Sequence, residues 1–164
     1  MKHINLFIII ISSLLLCSCK QDQWMDWKMQ NEIWITQNAQ KPDIITTPTG
    51  LQYKVIYQGN TFDTKPSYGS TIIVDYSLQL INGVLVETAQ NARLVIQSSA
   101  NANGLIEGFV EGLKKMNVGG DYILYIPWQL AYGEDGDEAA EQSTLFIPPY
   151  STLIYTVHLS AVSK

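Results

Sequence analysis

Residues 105–120 read LIEGFVEGLKKMNVGG, and after Leu51 this is the one stretch whose apolar residues recur every three or four positions. Ile106, Phe109, Val110 and Leu113 share a stripe opposite Glu107, Glu111 and Lys114, which predicts a short helix ending at Gly119-Gly120. On both sides the period is two. Upstream, LQYKVIYQ alternates Leu51, Tyr53, Val55 and Tyr57 against polar partners, apart from Ile56. TIIVDYSLQLI then places Val74, Tyr76, Leu78 and Leu80 on one face. Asn82-Gly83 supplies the positive φ angles of a tight hairpin, VLVET returns, and a further short strand is predicted from Arg93 to Gln97. Downstream, DYILYIP and STLIYTVHLSAV are strands, the second alternating Leu153, Tyr155, Val157 and Leu159. One short helix cannot cover a flat sheet from end to end. The prediction is therefore α+β: a curled antiparallel sheet of five to six strands, a half-barrel wrapped around that helix over residues 48–164.

Further out the chain changes character. KPDIITTPTG, rich in Pro, Thr and Gly, is the expected domain boundary, with residues 19–47 forming a tether. Within the tether Trp24, Trp27, Ile33 and Trp34 recur at helical spacing beside Asp26, Lys28 and Glu32. This helix could dock on its own domain, pair with a second copy or another partner through its tryptophans, or lie among lipid headgroups. Before it, INLFIIIISSLLL gives 13 largely apolar residues behind Lys2 and His3, short of the ~20 that span a bilayer. Residues 1–18 therefore read as a secretory signal. The LCSC that follows resembles the lipobox of bacterial lipoproteins, with Ser18 in the small-residue slot and Cys19 as the lipidated residue. Choosing Cys17 would put bulky Leu16 in that slot. The resemblance implies a lipid-anchored protein of the bacterial cell envelope, on a periplasmic face or the cell surface.

Composition removes other classes. The 164 residues carry 10 Lys plus Arg against 15 Asp plus Glu, a net charge of −5, which repels phosphate backbones and makes nucleic acid an unsuitable partner. The two cysteines cannot build a disulfide scaffold or a four-thiolate zinc site, and no metal or cofactor is expected. After residue 19 there is one histidine, His158, on a strand and best read as a surface residue. No GxSxG elbow, HExxH helix or phosphate-binding glycine loop is present. EDGDEAAE, Glu134 to Glu141, holds five carboxylates but puts Ala140 and Phe146 where an EF-hand needs Gly and Glu, so it reads as a solvated loop. What remains is aromatic: Tyr76, Phe109, Tyr132 and Tyr155, next to Ile106 and Ile147. Tyr132 stands apart because it opens a long loop directly after a strand.

Residues 47–164 resemble an FKBP-type peptidyl-prolyl cis-trans isomerase throughout. LIEGFVEGLKKMNVGG is similar to that family's Val-Ile-x-Gly-Trp-x-Glu-Gly-Leu helix, VDYSLQLINGVLVET to its strand and hairpin, and DYILYIPWQLAYG and IPPYSTLIYTVHL to its last two strands. The resemblance implies proline-containing polypeptides as substrates and a pocket without a nucleophile. Phe109 would carry the proline ring, the Ile106 N–H and the Tyr132 hydroxyl would bind substrate carbonyls, and Tyr76 and Glu87 would complete the catalytic set. Val86, Leu94, Leu105, Phe146, Ile147 and Tyr155 would line the substrate.

Several positions depart from the family pattern. Val86-Glu87 replaces a Phe-Asp pair, Phe109 replaces a Trp, Tyr155 replaces a Phe, and the segment from Glu87 to Leu94 is short. Two functions follow from the resemblance: a membrane-anchored isomerase that assists folding of secreted or envelope proteins, or a non-catalytic peptide-binding or scaffold module of an envelope complex.

Overall fold

The computed structural model describes residues 24–97, 104–137 and 146–164. The signal segment, Cys19 and the acidic positions Glu138 and Glu141 lie outside the described residues. Helix α1 spans Met25–Asn38 and α2 spans Glu107–Leu113. The strands are β1 Ile45–Thr46, β2 Gln52–Tyr57, β3 Thr71–Leu80, β4 Leu85–Val95, β5 Asp121–Ile126 and β6 Leu153–Ser163. They form one sheet in the order β1-β2-β5-β6-β3-β4, and every pairing is antiparallel. The α+β class and the six strands agree with the expectation.

Alternation decides which face is buried. Ile72, Val74, Leu78 and Leu80 of β3, Tyr122, Leu124 and Ile126 of β5, and Leu153, Tyr155, Val157 and Leu159 of β6 form one core with Phe109, Leu113 and Met116. Helix α2 lies close to β5 because its facing positions are glycines. A Cβ at Gly108 would collide with Ile126 Cγ2 and lie 3.1 Å from Leu130 Cβ, and one at Gly112 would lie 2.8 Å from Leu124 Cδ2. His158 falls on the partly exposed face, its Nδ1 2.7 Å from Asp121 Oδ1.

Four local expectations are corrected. The turn after β3 takes positive φ only at Gly83 (+83°), not at Asn82. The Gly83 N–H bonds Leu80 O and the Leu80 N–H bonds Val84 O, each at 2.9 Å, so the loop is a type I turn closed by a left-handed glycine. The return strand and the strand predicted from Arg93 are one continuous β4. Its missing length is absorbed at Asn91 (φ 52°), whose N–H bonds Asp75 Oδ1 at 2.6 Å while the register shifts between Val74 and Tyr76. Tyr57, expected on the inner face, is 62% exposed because a bulge at Ile56 turns the end of β2 outward. Helix α2 proper stops at Leu113, before Gly119-Gly120.

Helix α1 packs on the sheet domain, one of the expected alternatives, with its tryptophans taking part and two asparagines buried among them. Ile33 is exposed, as are Met25 and Met29, while Asn31 and Asn38 are fully buried. Asn31 accepts from the Thr152 N–H (2.7 Å) and donates to Trp27 O; Asn38 donates to Gln52 Oε1, and Gln52 donates to Ile35 O. Asn31 satisfies the Thr152 N–H, which a hydrophobic residue would leave unpaired, and Asn38 and Gln52 satisfy one another, which explains polar residues on the inner face. The tryptophans sit around them. Trp27 Nε1 donates to Ser151 Oγ (2.9 Å), Trp34 meets the Tyr125 ring at 5.7 Å, and Lys28 lies over the rings of Trp128 and Tyr150.

Candidate active site

The core's aromatic end is built from three elements. Phe109 of α2 stacks on Tyr155 of β6 with centroids 4.4 Å apart, and Tyr76 of β3 lies 5.6 Å from Phe109 and 5.7 Å from Tyr155. The Tyr76 hydroxyl donates to Glu87 Oε1 at 2.6 Å, and Glu87 is placed for this because Ser77 and Leu78 pair with Thr88 and Glu87 on β4. Burial, then this bond and charge, push the Tyr76 hydroxyl well above its ordinary pKa of 10.0. Burial also raises Tyr132 and Tyr155, and the Glu87 carboxylate adds to both shifts.

Tyr132 is positioned by a short helical turn, Trp128–Leu130, after β5. The Gly133 N–H bonds Trp128 O (2.9 Å), and Gly133 O accepts from the Tyr150 N–H (3.0 Å), which ties the start of the loop to its end. Ile106 is 3% exposed at the N-terminus of α2. Its carbonyl accepts from Phe109 and Val110, while its own N–H makes no hydrogen bond among the described residues. Val86, Leu94 and Leu105 are partly buried against the same core, and Ile147 is buried within it.

Phe146 is the exception among the expected lining residues. Its ring meets Trp24 of α1 at 5.8 Å, and it is not part of the core cluster. The acidic loop also differs from a simply solvated segment. The Asp137 N–H bonds Ile147 O at 3.0 Å, and Asp137 is the largest charge acting on Tyr132. Sequence reading missed Asp137. The signal was its position between Tyr132 and Ile147, obscured by the other carboxylates of the run.

Fold and site together define an aromatic cluster at one end of the core, beside tyrosine hydroxyls and a backbone N–H that makes no hydrogen bond among the described residues, with no cluster of metal ligands among those residues. The model of "FKBP-type peptidyl-prolyl cis-trans isomerase" matches residues 62–160, and that of the "domain amino terminal to FKBP-type peptidyl-prolyl isomerase" matches residues 18–55. The chain belongs to the FKBP-type peptidyl-prolyl cis-trans isomerase family.

Among curated relatives, the Outer membrane protein MIP of Legionella longbeachae is 31% identical, over 84% of this chain and 54% of its own. The FKBP-type 22 kDa peptidyl-prolyl cis-trans isomerase of Escherichia coli is 35% identical, over 77% of this chain and 56% of its own. The chain thus spans about half the length of these relatives. Among solved structures, FkpA from Escherichia coli aligns with a TM-score of 0.73 at 26% identity, over 99% of this chain and 70% of that one. A Pseudomonas syringae peptidyl-prolyl isomerase, at 21% identity and TM-score 0.72 over 86% of this chain and 96% of its own, shares the fold.

Proposed function

We propose that this protein is a peptidyl-prolyl cis-trans isomerase, held by lipid on Cys19 to the bacterial cell envelope, where it assists folding of secreted or envelope polypeptides. The observation that carries the activity is a pair of hydrogen-bonding groups without partners among the described residues, the Ile106 N–H and the Tyr132 hydroxyl, beside the Tyr76–Phe109–Tyr155 cluster. An Xaa–Pro amide rotates slowly because partial double-bond character raises a barrier of ~18–20 kcal/mol. A cleft that receives the proline ring against Phe109 and strips water from the amide favours the twisted form over the planar one. The Ile106 N–H and the Tyr132 hydroxyl hold the flanking carbonyls during rotation. Each 1.36 kcal/mol of preference for the twisted amide speeds the reaction about tenfold.

The anchoring part rests on Ser18-Cys19 following the apolar segment, and the name of the Legionella longbeachae relative is in keeping with an envelope location. Mass spectrometry of the membrane fraction tests it: acylated Cys19 is expected, and an unmodified Cys19 or a soluble secreted product refutes it. The activity is tested with the full chain in non-ionic detergent on a Leu-Pro peptide. Faster cis-to-trans conversion, abolished by rapamycin, is expected.

One observation favours a second reading, a non-catalytic peptide-binding or scaffold module. Phe109 is only 2% exposed, covered by rings that a proline would have to displace. Saturable peptide binding without turnover would establish that reading.

A further inference from the structure

Resting on the isomerase reading, we propose that Trp27 and Lys28 of helix α1 are positioning residues of the active site. They fix residues 146–152, the segment that carries Ile147, and tie it to the turn that carries Tyr132. They act through that segment and not on the substrate. Helix α1 precedes residues 62–160, the stretch that matches the isomerase family model, so the site would depend on residues outside that stretch.

Trp24, Trp27, Lys28 and Asn31 stand at i, i+3, i+4 and i+7, which places them on one face at the start of the helix. That face lies along the segment. The Trp24 ring is 5.8 Å from Phe146, at the segment's beginning. Lys28 Nζ lies 4.6 Å from the centre of the Tyr150 ring. Trp27 Nε1 donates to Ser151 Oγ at 2.9 Å, and the Ser151 hydroxyl donates to Pro148 O at 2.7 Å. Asn31 Oδ1 accepts from the Thr152 N–H at 2.7 Å. Apolar contact alone would let the segment slide along the helix. Hydrogen bonds and a cation over a ring are directional, and they set its place.

Tyr150 shows how much of this is needed. Its φ is +60°, a left-handed conformation that a bulky side chain rarely adopts and keeps only where its surroundings over-determine it. Its N–H bonds Gly133 O at 3.0 Å, and its ring stands edge-on to Trp128 at 5.2 Å. Lys28 covers both of these rings, with its Nζ 5.4 Å from the centre of Trp128. Trp128 O in turn accepts from the Gly133 N–H at 2.9 Å. The turn that holds Tyr132 is therefore closed by Trp128 on one side and by Tyr150 on the other, with one ammonium of α1 bridging the two. Pro148 and Pro149, each with a ring-locked φ, join Tyr150 to Ile147 and make that link stiff. A displacement of Tyr150 thus reaches both Ile147 and Tyr132.

The test uses the full chain in non-ionic detergent, a Leu-Pro peptide, calorimetry and amide hydrogen exchange. Lys28→Met keeps the stem and removes the charge, and Trp27→Phe keeps a ring and removes the donor. Each should raise the peptide Kd and lower kcat/KM about three- to tenfold, with the number of binding sites unchanged. Lys28→Arg, which keeps a cation over the rings, should stay within about twofold of the parent. Leu159→Val, a buried change farther along β6, should lower the melting midpoint and leave Kd as it was. A merely structural role for α1 would instead reduce the number of sites at constant Kd. In Lys28→Met the Tyr150 amide should exchange about tenfold faster than in the parent. Unaltered Kd and kcat/KM in Lys28→Met and Trp27→Phe, or an equal loss in Leu159→Val, overturns the inference and leaves the isomerase reading standing. If the parent neither turns over nor binds the peptide, the isomerase reading fails, and the Tyr150 exchange rate decides the positioning by itself: faster exchange in Lys28→Met sustains it, an unchanged rate overturns it.

Discussion

Phe109→Trp restores the residue that the family's helix usually carries, and the structure predicts that it harms this protein. The Phe109 ring is 2% exposed, stacked at 4.4 Å on Tyr155 and set edge-on to Tyr76 at 5.6 Å. An indole brings about three more heavy atoms into a site already closed. The helix cannot retreat to admit them, because Gly108 and Gly112 already bring its backbone against Ile126 and Leu124. Space has to come from Tyr155 or Tyr76. Overpacking of this kind costs ~1–3 kcal/mol, which for a domain of this size lowers the thermal midpoint by roughly 3–12 °C. Circular dichroism melts of the full chain measure it. Tyr155→Leu, which removes the stacked ring, should cost stability alone but less in the Phe109→Trp background, so the two changes couple favourably in a double-mutant cycle. A Phe109→Trp protein that melts no lower than the parent and isomerises faster would refute the reasoning. The cleft would then have room beside Phe109, and Tyr155 would not be what fills it.

Tyr132→Phe should weaken peptide binding by ~0.5–1.5 kcal/mol, the net worth of one hydrogen bond, with the melting midpoint nearly unchanged. Unaltered affinity by calorimetry would remove Tyr132 from the site. Asn31→Ala should cost ~1–3 kcal/mol in a thermal melt, because the buried Thr152 N–H loses its acceptor; an unshifted midpoint would mean that α1 does not hold its dock. Alkaline spectrophotometric titration should find Tyr76, Tyr122, Tyr125, Tyr132 and Tyr155 ionising above the ordinary value of 10.0, all raised chiefly by burial. Since the folded state holds these protons longer than the unfolded one, stability present below pH 10 should fall as pH rises beyond it. Native-state ionisation of all five at the ordinary pKa would contradict their burial.

The fold was legible where one physical rule dominated. In β6, Leu153, Tyr155, Val157 and Leu159 alternate because one face is buried, and the structure buries all four. The stripe of α2 was equally readable. The rule failed where backbone geometry departed from the period. At Asn91 a left-handed residue keeps β4 continuous, although the sequence looked like two strands with a segment missing. Tyr57 obeyed the alternation on paper, and a bulge one residue earlier turned it outward.

Helix α1 and the acidic loop show a different limit. In both, the residue that matters is polar and sits where pattern reading looks for its opposite. Indoles at helical spacing suggested an apolar seam, but Asn31 and Asn38 are buried among them: Asn31 accepts from the Thr152 N–H just before β6, and Asn38 donates to the Gln52 side chain. Burying a backbone N–H without a partner costs more than a side-chain amide gains by staying in water, so the asparagine wins the inner position. Asp137 follows the same logic. Its neighbours Glu134 and Asp135 are exposed, and nothing in the run distinguishes it until its backbone is paired with Ile147. A charge run describes the average environment of its members, whereas a cleft is shaped by the one member whose backbone is tied to the wall. In this protein that member is Asp137, whose backbone N–H is bonded to Ile147 O while Glu134 and Asp135 face solvent.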